Sequence, residues 1–148
     1  MVKKILVPTD GSEHARRAID LASDIALQYD AMLYILHVIS ETTIPDEVLD
    51  YIRVERVEEP PERVYQRKIG EGTIAAAERE ARNKGLKEVQ SEVVQGDPAE
   101  EIINFAREKG VDMIMLGSRG LGQIKGMFLG SVSSKVCHVA DCTCVTVK

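Results

Sequence analysis

A chain of 148 residues, with 44% apolar content and only 4% aromatics, is the length of one domain and can bury a core without disulfide or metal staples. Its formal charge of −5 argues against a broad nucleic-acid or acidic-membrane footprint, and the lack of Trp argues against a stacking platform for single strands. No apolar stretch approaches the roughly 20 residues of a membrane span, the first residues do not read as a signal peptide, and Cys137, Cys142 and Cys144 read as free thiols in a reducing, cytoplasmic compartment.

Residues 3–9 (KKILVPT) predict a short buried strand. Ser12 suits the N-cap of a helix running to about Gln28, with Ala15, Ala18, Ile19, Ala22, Ile25 and Ala26 at helical spacing. The apolar run at 32–39 (MLYILHVI) predicts a parallel strand covered on both faces. Residues 40–66 are acidic, carry Pro45, Pro60 and Pro61, and show one helix-like patch at Val48, Leu49 and Ile52; an insertion with a short helix and a disordered loop both fit. A helix over 67–84 follows, with Glu78–Arg82 and Glu80–Lys84 as i,i+4 pairs and Gly85 as its stop. Residues 88–94 alternate with one polar side, the pattern of a sheet edge. Asp97-Pro98-Ala99-Glu100 can cap and open a helix that Gly110 ends. Residues 111–116 form a buried strand leading into Gly117, a helix spans about Ser131 to Ala140, and residues 142–147 make a last strand. This alternation predicts a single α/β domain over 1–148, with five strands in an open parallel sheet and helices on both faces.

The loop after Gly117 fails two familiar phosphate motifs. Gly117 and Gly122 have P-loop spacing, but Gln123 and Ile124 stand where Lys and Ser or Thr are needed. Gly120-Leu-Gly122 begins a dinucleotide fingerprint, but Lys125 takes the third glycine position and the loop follows the fourth strand, not the first. What remains is Gly117-Ser-Arg-Gly120, nine residues, then Gly130-Ser131-Val132-Ser133. Glycines at 117 and 120 would let backbone approach a ligand and permit positive φ. Helix-opening amides at Gly130 and Ser131 have no partner within the helix and suit a phosphate, with the hydroxyls of Ser131 and Ser133 as further donors. Arg119 and Lys125 are the only charges between Asp112 and Lys135.

If the strand order is 3-2-1-4-5, the order reverses between strands 1 and 4, and Asp10 and Gly117 face one crevice at the carboxyl edge. A carboxylate beside a phosphate loop suits ribose hydroxyls, which points to a nucleotide; Asp10 also suits a plain cap or turn, and the glycines a structural loop. Cys142-x-Cys144 with Cys137-His138 reads as small buried hydrophobes before metal ligands, and His14, His37 and His138 as structural histidines.

These residues resemble the universal stress protein family across nearly the whole chain: Lys4 to Ser12, Leu36-His37-Val38-Ile39, Gly96-Asp97-Pro98, Val111-Asp112 through Gly120, and Leu129 to Ser133. The Gly-x2-Gly-x9-Gly-Ser pattern resembles the family's ATP-binding branch. The resemblance implies a Rossmann-like fold that dimerises, with ribose at Asp10 and Gly117, and adenine at the Val38 backbone near Pro8, Thr9 and Leu116. It also implies phosphates held by Gly120, Gly130, Ser131, Val132 and Ser133, with Mg²⁺ or Mn²⁺ leaning on phosphate oxygens and water for want of a metal cage. The family's proline-containing last strand is replaced here by residues 141–147 (DCTCVTV), an apolar edge able to pair with its twin. The expected function is ATP-dependent regulation; slow ATP hydrolysis or nucleotidyl or phosphoryl transfer at the same site, and a dimerisation adaptor with an empty pocket, are the alternatives.

Overall fold

The computed structural model describes residues 1–40, 44–120 and 129–148. Lys125, expected to lend charge to the phosphate loop, lies outside the described residues, as do residues 41–43 of the acidic segment.

Two helices begin at a capping side chain and two stop at a glycine. Strand β1 (Lys4–Pro8) leads to helix α1 (Glu13–Tyr29), where the Ser12 hydroxyl caps the Ala15 amide at 3.3 Å. Strand β2 (Met32–Ile39) is almost wholly buried. Helices α2 (Asp46–Val54) and α3 (Pro61–Tyr65) follow, then a π-helical turn (Gln66–Gly70) continuous with α4 (Glu71–Asn83). Gly85, at φ +105°, stops α4 as expected. After β3 (Val89–Gln95), Asp97 caps α5 (Pro98–Lys109) by accepting from the Glu100 amide at 3.0 Å, and Gly110 ends it in the left-handed region. Strand β4 (Met113–Gly117), helix α6 (Ser131–Val139) and strand β5 (Thr143–Val147) complete the chain.

The sheet is parallel throughout, in the order β3-β2-β1-β4-β5. Alternate residues of the central strands face opposite layers. Ile5, Val7, Leu33, Ile35 and Met115 pack under α1 and α4, against Ala18, Ile19, Ala22, Ile74 and Ala77. Leu6, Tyr34, Leu36, Ile114 and Leu116 pack under α5 and α6, against Ile102, Phe105, Ala106 and Val136. A side chain such as Leu36, wholly buried, contributes about 1.5–3 kcal/mol through removal from water. The order 3-2-1-4-5, the five parallel strands and the two helical layers agree with the sequence reading.

Four local expectations need correction. The acidic segment 40–66 holds two helices, whose Val48, Val64 and Tyr65 form a small core with Ile39, and the helix expected over 67–84 opens with the π turn and is α-helical only from Glu71. Glu78 pairs with Arg82 at 2.9 Å, but Lys84 turns from Glu80 to Asp20 and Asp24 of α1, both at 2.7 Å. Lys84 sits at the end of α4, where its long side chain reaches the neighbouring helix and also meets the Asp20 carbonyl. The three cysteines are free but half-buried rather than buried, because Cys142 and Cys144 lie on or beside the sheet's outermost strand. Burial, with Cys137 close by, pushes the Cys144 thiol up to about 12.

Candidate functional site

The carboxyl ends of β1 and β4 meet the start of α6 at the strand-order reversal. A cleft of ≈ 550 Å³ opens there, within the usual range for small-molecule sites. All twelve residues singled out from the sequence line it: Pro8, Thr9 and Asp10 from the β1 end, Val38 from β2, Leu116, Gly117, Arg119 and Gly120 from β4 and its loop, and Gly130, Ser131, Val132 and Ser133 from the start of α6.

The turn after β1 is tightly specified. The Thr9 amide donates to the Leu36 carbonyl at 2.8 Å, extending the sheet pairing by one residue. Thr9 Oγ1 accepts from the Gly11 amide at 3.2 Å, and Asp10 Oδ1 accepts from the Ser12 amide at 2.9 Å. Gly11 takes φ +82°, a conformation glycine adopts without penalty. Asp10 is therefore a turn residue and a cleft residue at once; the two readings of it do not compete.

Ser118 fixes the other wall. Its amide donates to the Val147 carbonyl at 2.7 Å, and its own carbonyl accepts from the Gly130 amide at 2.7 Å and the Ser133 hydroxyl at 3.1 Å. Its hydroxyl lies 3.0 Å from His14 Nδ1. One buried serine thus ties β4, β5, α1 and α6 together. It also changes the donor inventory expected at the phosphate loop. The Gly130 amide and the Ser133 hydroxyl are directed at backbone, the latter also 3.2 Å from the Gly130 carbonyl. The first helical bond of α6 runs from the Ser134 amide to the Gly130 carbonyl at 2.9 Å, so the amides of Ser131, Val132 and Ser133 precede it and have no partner within the helix.

The glycines act differently from the reading of the sequence. Neither Gly117 nor Gly120 has positive φ; among the described glycines those that do are Gly11, Gly85, Gly96 and Gly110. A Cβ on Gly117 would lie 2.8 Å from the Ala15 amide nitrogen and the His14 carbonyl carbon, so its bareness lets the start of α1 close on β4. A Cβ on Gly120 would collide with the Asp10 carboxylate. Protein atoms thus occupy the space beside both glycines, backbone of α1 at Gly117 and the Asp10 carboxylate at Gly120.

The sequence reading passed over other lining residues. Leu36 and Ile102 add apolar wall from β2 and α5, and Ser12 and Ala15 add the first turn of α1. His37 and Tyr65 line the floor. His37 was read as structural, and is 1% exposed with Nδ1 2.8 Å from the Thr9 carbonyl. Tyr65 lay in the segment read as an insertion, although Pro60-Pro61 before an apolar-periodic stretch is a helix-start signal. Burial raises the Tyr65 phenol, and the negative charge of Asp10 raises it further. Among the described residues no group of three or more His, Cys, Asp or Glu side chains is spaced to hold a metal ion, and no helix is long and apolar enough to cross a membrane.

Comparison with known proteins shows the family and agrees with the fold. The model of the universal stress protein family matches residues 1–148. Universal stress protein YxiE of Bacillus subtilis is 38% identical, with 100% of both chains covered. The solved structure of MJ0577 from Methanocaldococcus jannaschii is 30% identical, with TM-score 0.79 over 100% of this chain and 96% of that one. A crystal structure of a universal stress protein in complex with cAMP is 25% identical, with TM-score 0.69 over 99% of this chain and 96% of that one. With the whole chain matched by the family model, the protein belongs to the universal stress protein family.

Proposed function

We propose that this chain is an adenine-nucleotide-binding regulatory protein of the ATP-binding branch of its family, and that the cleft between β1, β4 and α6 is the binding site. One observation carries the reading: twelve residues scattered from Pro8 to Ser133 line a single cavity. A relative 25% identical to this chain has been solved in complex with cAMP, an adenine nucleotide. In this arrangement Asp10 and Gly117 take the ribose, and the Val38 backbone takes the adenine between Pro8, Thr9 and Leu116. The amides of Ser131, Val132 and Ser133 take the phosphates at the positive end of the α6 dipole, helped by Arg119, with Gly120 and Gly130 lining the same end of the cleft.

Asp10 is the one carboxylate among the described lining residues. That donor set fits a Mg²⁺ or Mn²⁺ ion held chiefly by phosphate oxygens and water. The reading is nucleotide binding with at most slow ATP hydrolysis, and slow hydrolysis or nucleotidyl or phosphoryl transfer at the same site is the alternative. Three free thiols suit a reducing cytoplasm. Strand β5, at the sheet edge, is the surface through which two copies would pair.

Equilibrium dialysis against ATP tests the site. Gly130 has φ −67° and ψ 163°, a backbone any residue adopts, so Gly130→Val fills the phosphate end without backbone strain. It is expected to abolish measurable ATP binding while circular dichroism stays unchanged. Asp10→Ala is expected to weaken ATP about tenfold or more, the worth of hydrogen bonds to a charged group, and pyrophosphate less. ATP binding by both variants at the parental level sinks the assignment.

A further inference from the structure

His37 and Tyr65 both line the cleft, and the nucleotide assignment above gives neither of them a role. His37 is 1% exposed and Tyr65 5% exposed. The Thr9 carbonyl can only accept, so His37 Nδ1, 2.8 Å away, carries the ring proton. Nε2 is the ring nitrogen that faces Tyr65, whose Oη lies 3.5 Å from it. The two rings stack, with centroids 6.0 Å apart and planes inclined by 22°.

Tyr65 reaches this position from outside the sheet. It is the last residue of α3, and the π turn Gln66–Gly70 follows at once. Such widened turns place side chains where a regular helix would not, and they occur frequently at functional sites. Gly70, in that turn, lies beside the pair: a Cβ there would be in ordinary contact with Ile39, His37 and Tyr65, at 3.5–3.7 Å. Tyr65 thus brings the segment after β2 onto the cleft, beside the small core it shares with Ile39, Val48 and Val64. His37 bonds to the Thr9 carbonyl, one residue before Asp10, so the Tyr65 ring stacked on it stands at the β1 end of the cleft, where the nucleoside is assigned.

We propose that Tyr65 is a ligand-contacting residue at the nucleoside end of the cleft, and that His37 is the positioning residue that holds both Tyr65 and the Thr9 turn for it. This inference rests on the nucleotide reading above. The phenol oxygen has lone pairs with which to accept from a ribose hydroxyl.

The test is calorimetric titration of ATP and of tripolyphosphate into the full chain, as wild type, Tyr65→Phe, His37→Asn and the double variant. Tyr65→Phe keeps the ring and its packing. It is expected to weaken ATP about three- to tenfold, the range for one hydrogen bond, and to leave tripolyphosphate untouched. His37→Asn keeps a donor for the Thr9 carbonyl but removes the ring nitrogen that faces Tyr65, so it is expected to weaken ATP similarly, with no further loss in the double variant. ATP binding by Tyr65→Phe at the wild-type level overturns the assignment, as does an equal loss for both ligands. Should His37→Asn fail to fold, Tyr65→Phe alone decides. Failure of the wild type to bind ATP brings down the nucleotide reading and this role with it, whereas wild-type binding matched by Tyr65→Phe removes the Tyr65 role alone.

Discussion

Asp112 does for the closed end of the sheet what Ser118 does for the open end. Its carboxylate accepts from the Lys3 amide at 2.8 Å and the Lys4 amide at 2.9 Å, while its own amide donates to the Lys4 carbonyl at 2.9 Å. Those two amides hold the carboxyl below its ordinary range. A carboxyl with a depressed folded value stabilises the fold above its unfolded value and loses that contribution as pH falls through the folded one. Asp112 is exposed, so solvent screening keeps the effect modest. Asp112→Ala is expected to cost about 1 kcal/mol in urea unfolding at pH 7, and the difference from wild type to shrink as pH drops below about 4. ATP affinity should not change, because Asp112 precedes β4 and the cleft lies beyond its other end. A difference that persists or grows in acid contradicts this role. Single residues also show where the sequence was opaque. Gly117 announces itself as special, but nothing local tells that its neighbour is the backbone of α1 rather than a ligand. The burial of the Ser133 hydroxyl against Ser118 likewise depends on a fold-level contact between residues 15 apart.

Elements were legible wherever one period dominated. The apolar runs of β1, β2 and β4, the i, i+3, i+4 spacing of α1, and the caps at Ser12, Asp97, Gly85 and Gly110 each fix an element with local chemistry alone. The segment from Pro45 to Gly70 was harder, because its helices are short and its apolar residues bury against Ile39 rather than against the main core. A π turn has no simple sequence period, so the placing of Tyr65 follows from tertiary packing. Strand β5 poses the converse case: its apolar character is legible, and its outer edge faces no other strand of the sheet. An apolar edge of this kind is normally covered or paired. Sedimentation equilibrium is expected to give twice the 16.4 kDa chain mass; a single-chain mass at micromolar concentration contradicts pairing through β5.

At the scale of the molecule, the strand order makes the site. Because β1 lies between β2 and β4, the chain leaves β1 toward one side of the sheet and returns to β4 on the other, which opens a crevice at their carboxyl ends. The order was inferred from alternation plus resemblance, and with it came the meeting of Asp10 with Ser131 across 121 positions of sequence. What the alternation could not supply was the internal wiring of the crevice: the Ser118 hub, the packing role of Gly117 and the His37–Tyr65 floor. The most direct test is a crystal of the protein grown with a non-hydrolysable ATP analogue and Mg²⁺. The phosphates should lie over the amides of Ser131, Val132 and Ser133, with the ribose within hydrogen-bond reach of Asp10. Nucleotide density elsewhere on the molecule, with this cleft holding only water, would contradict the assignment.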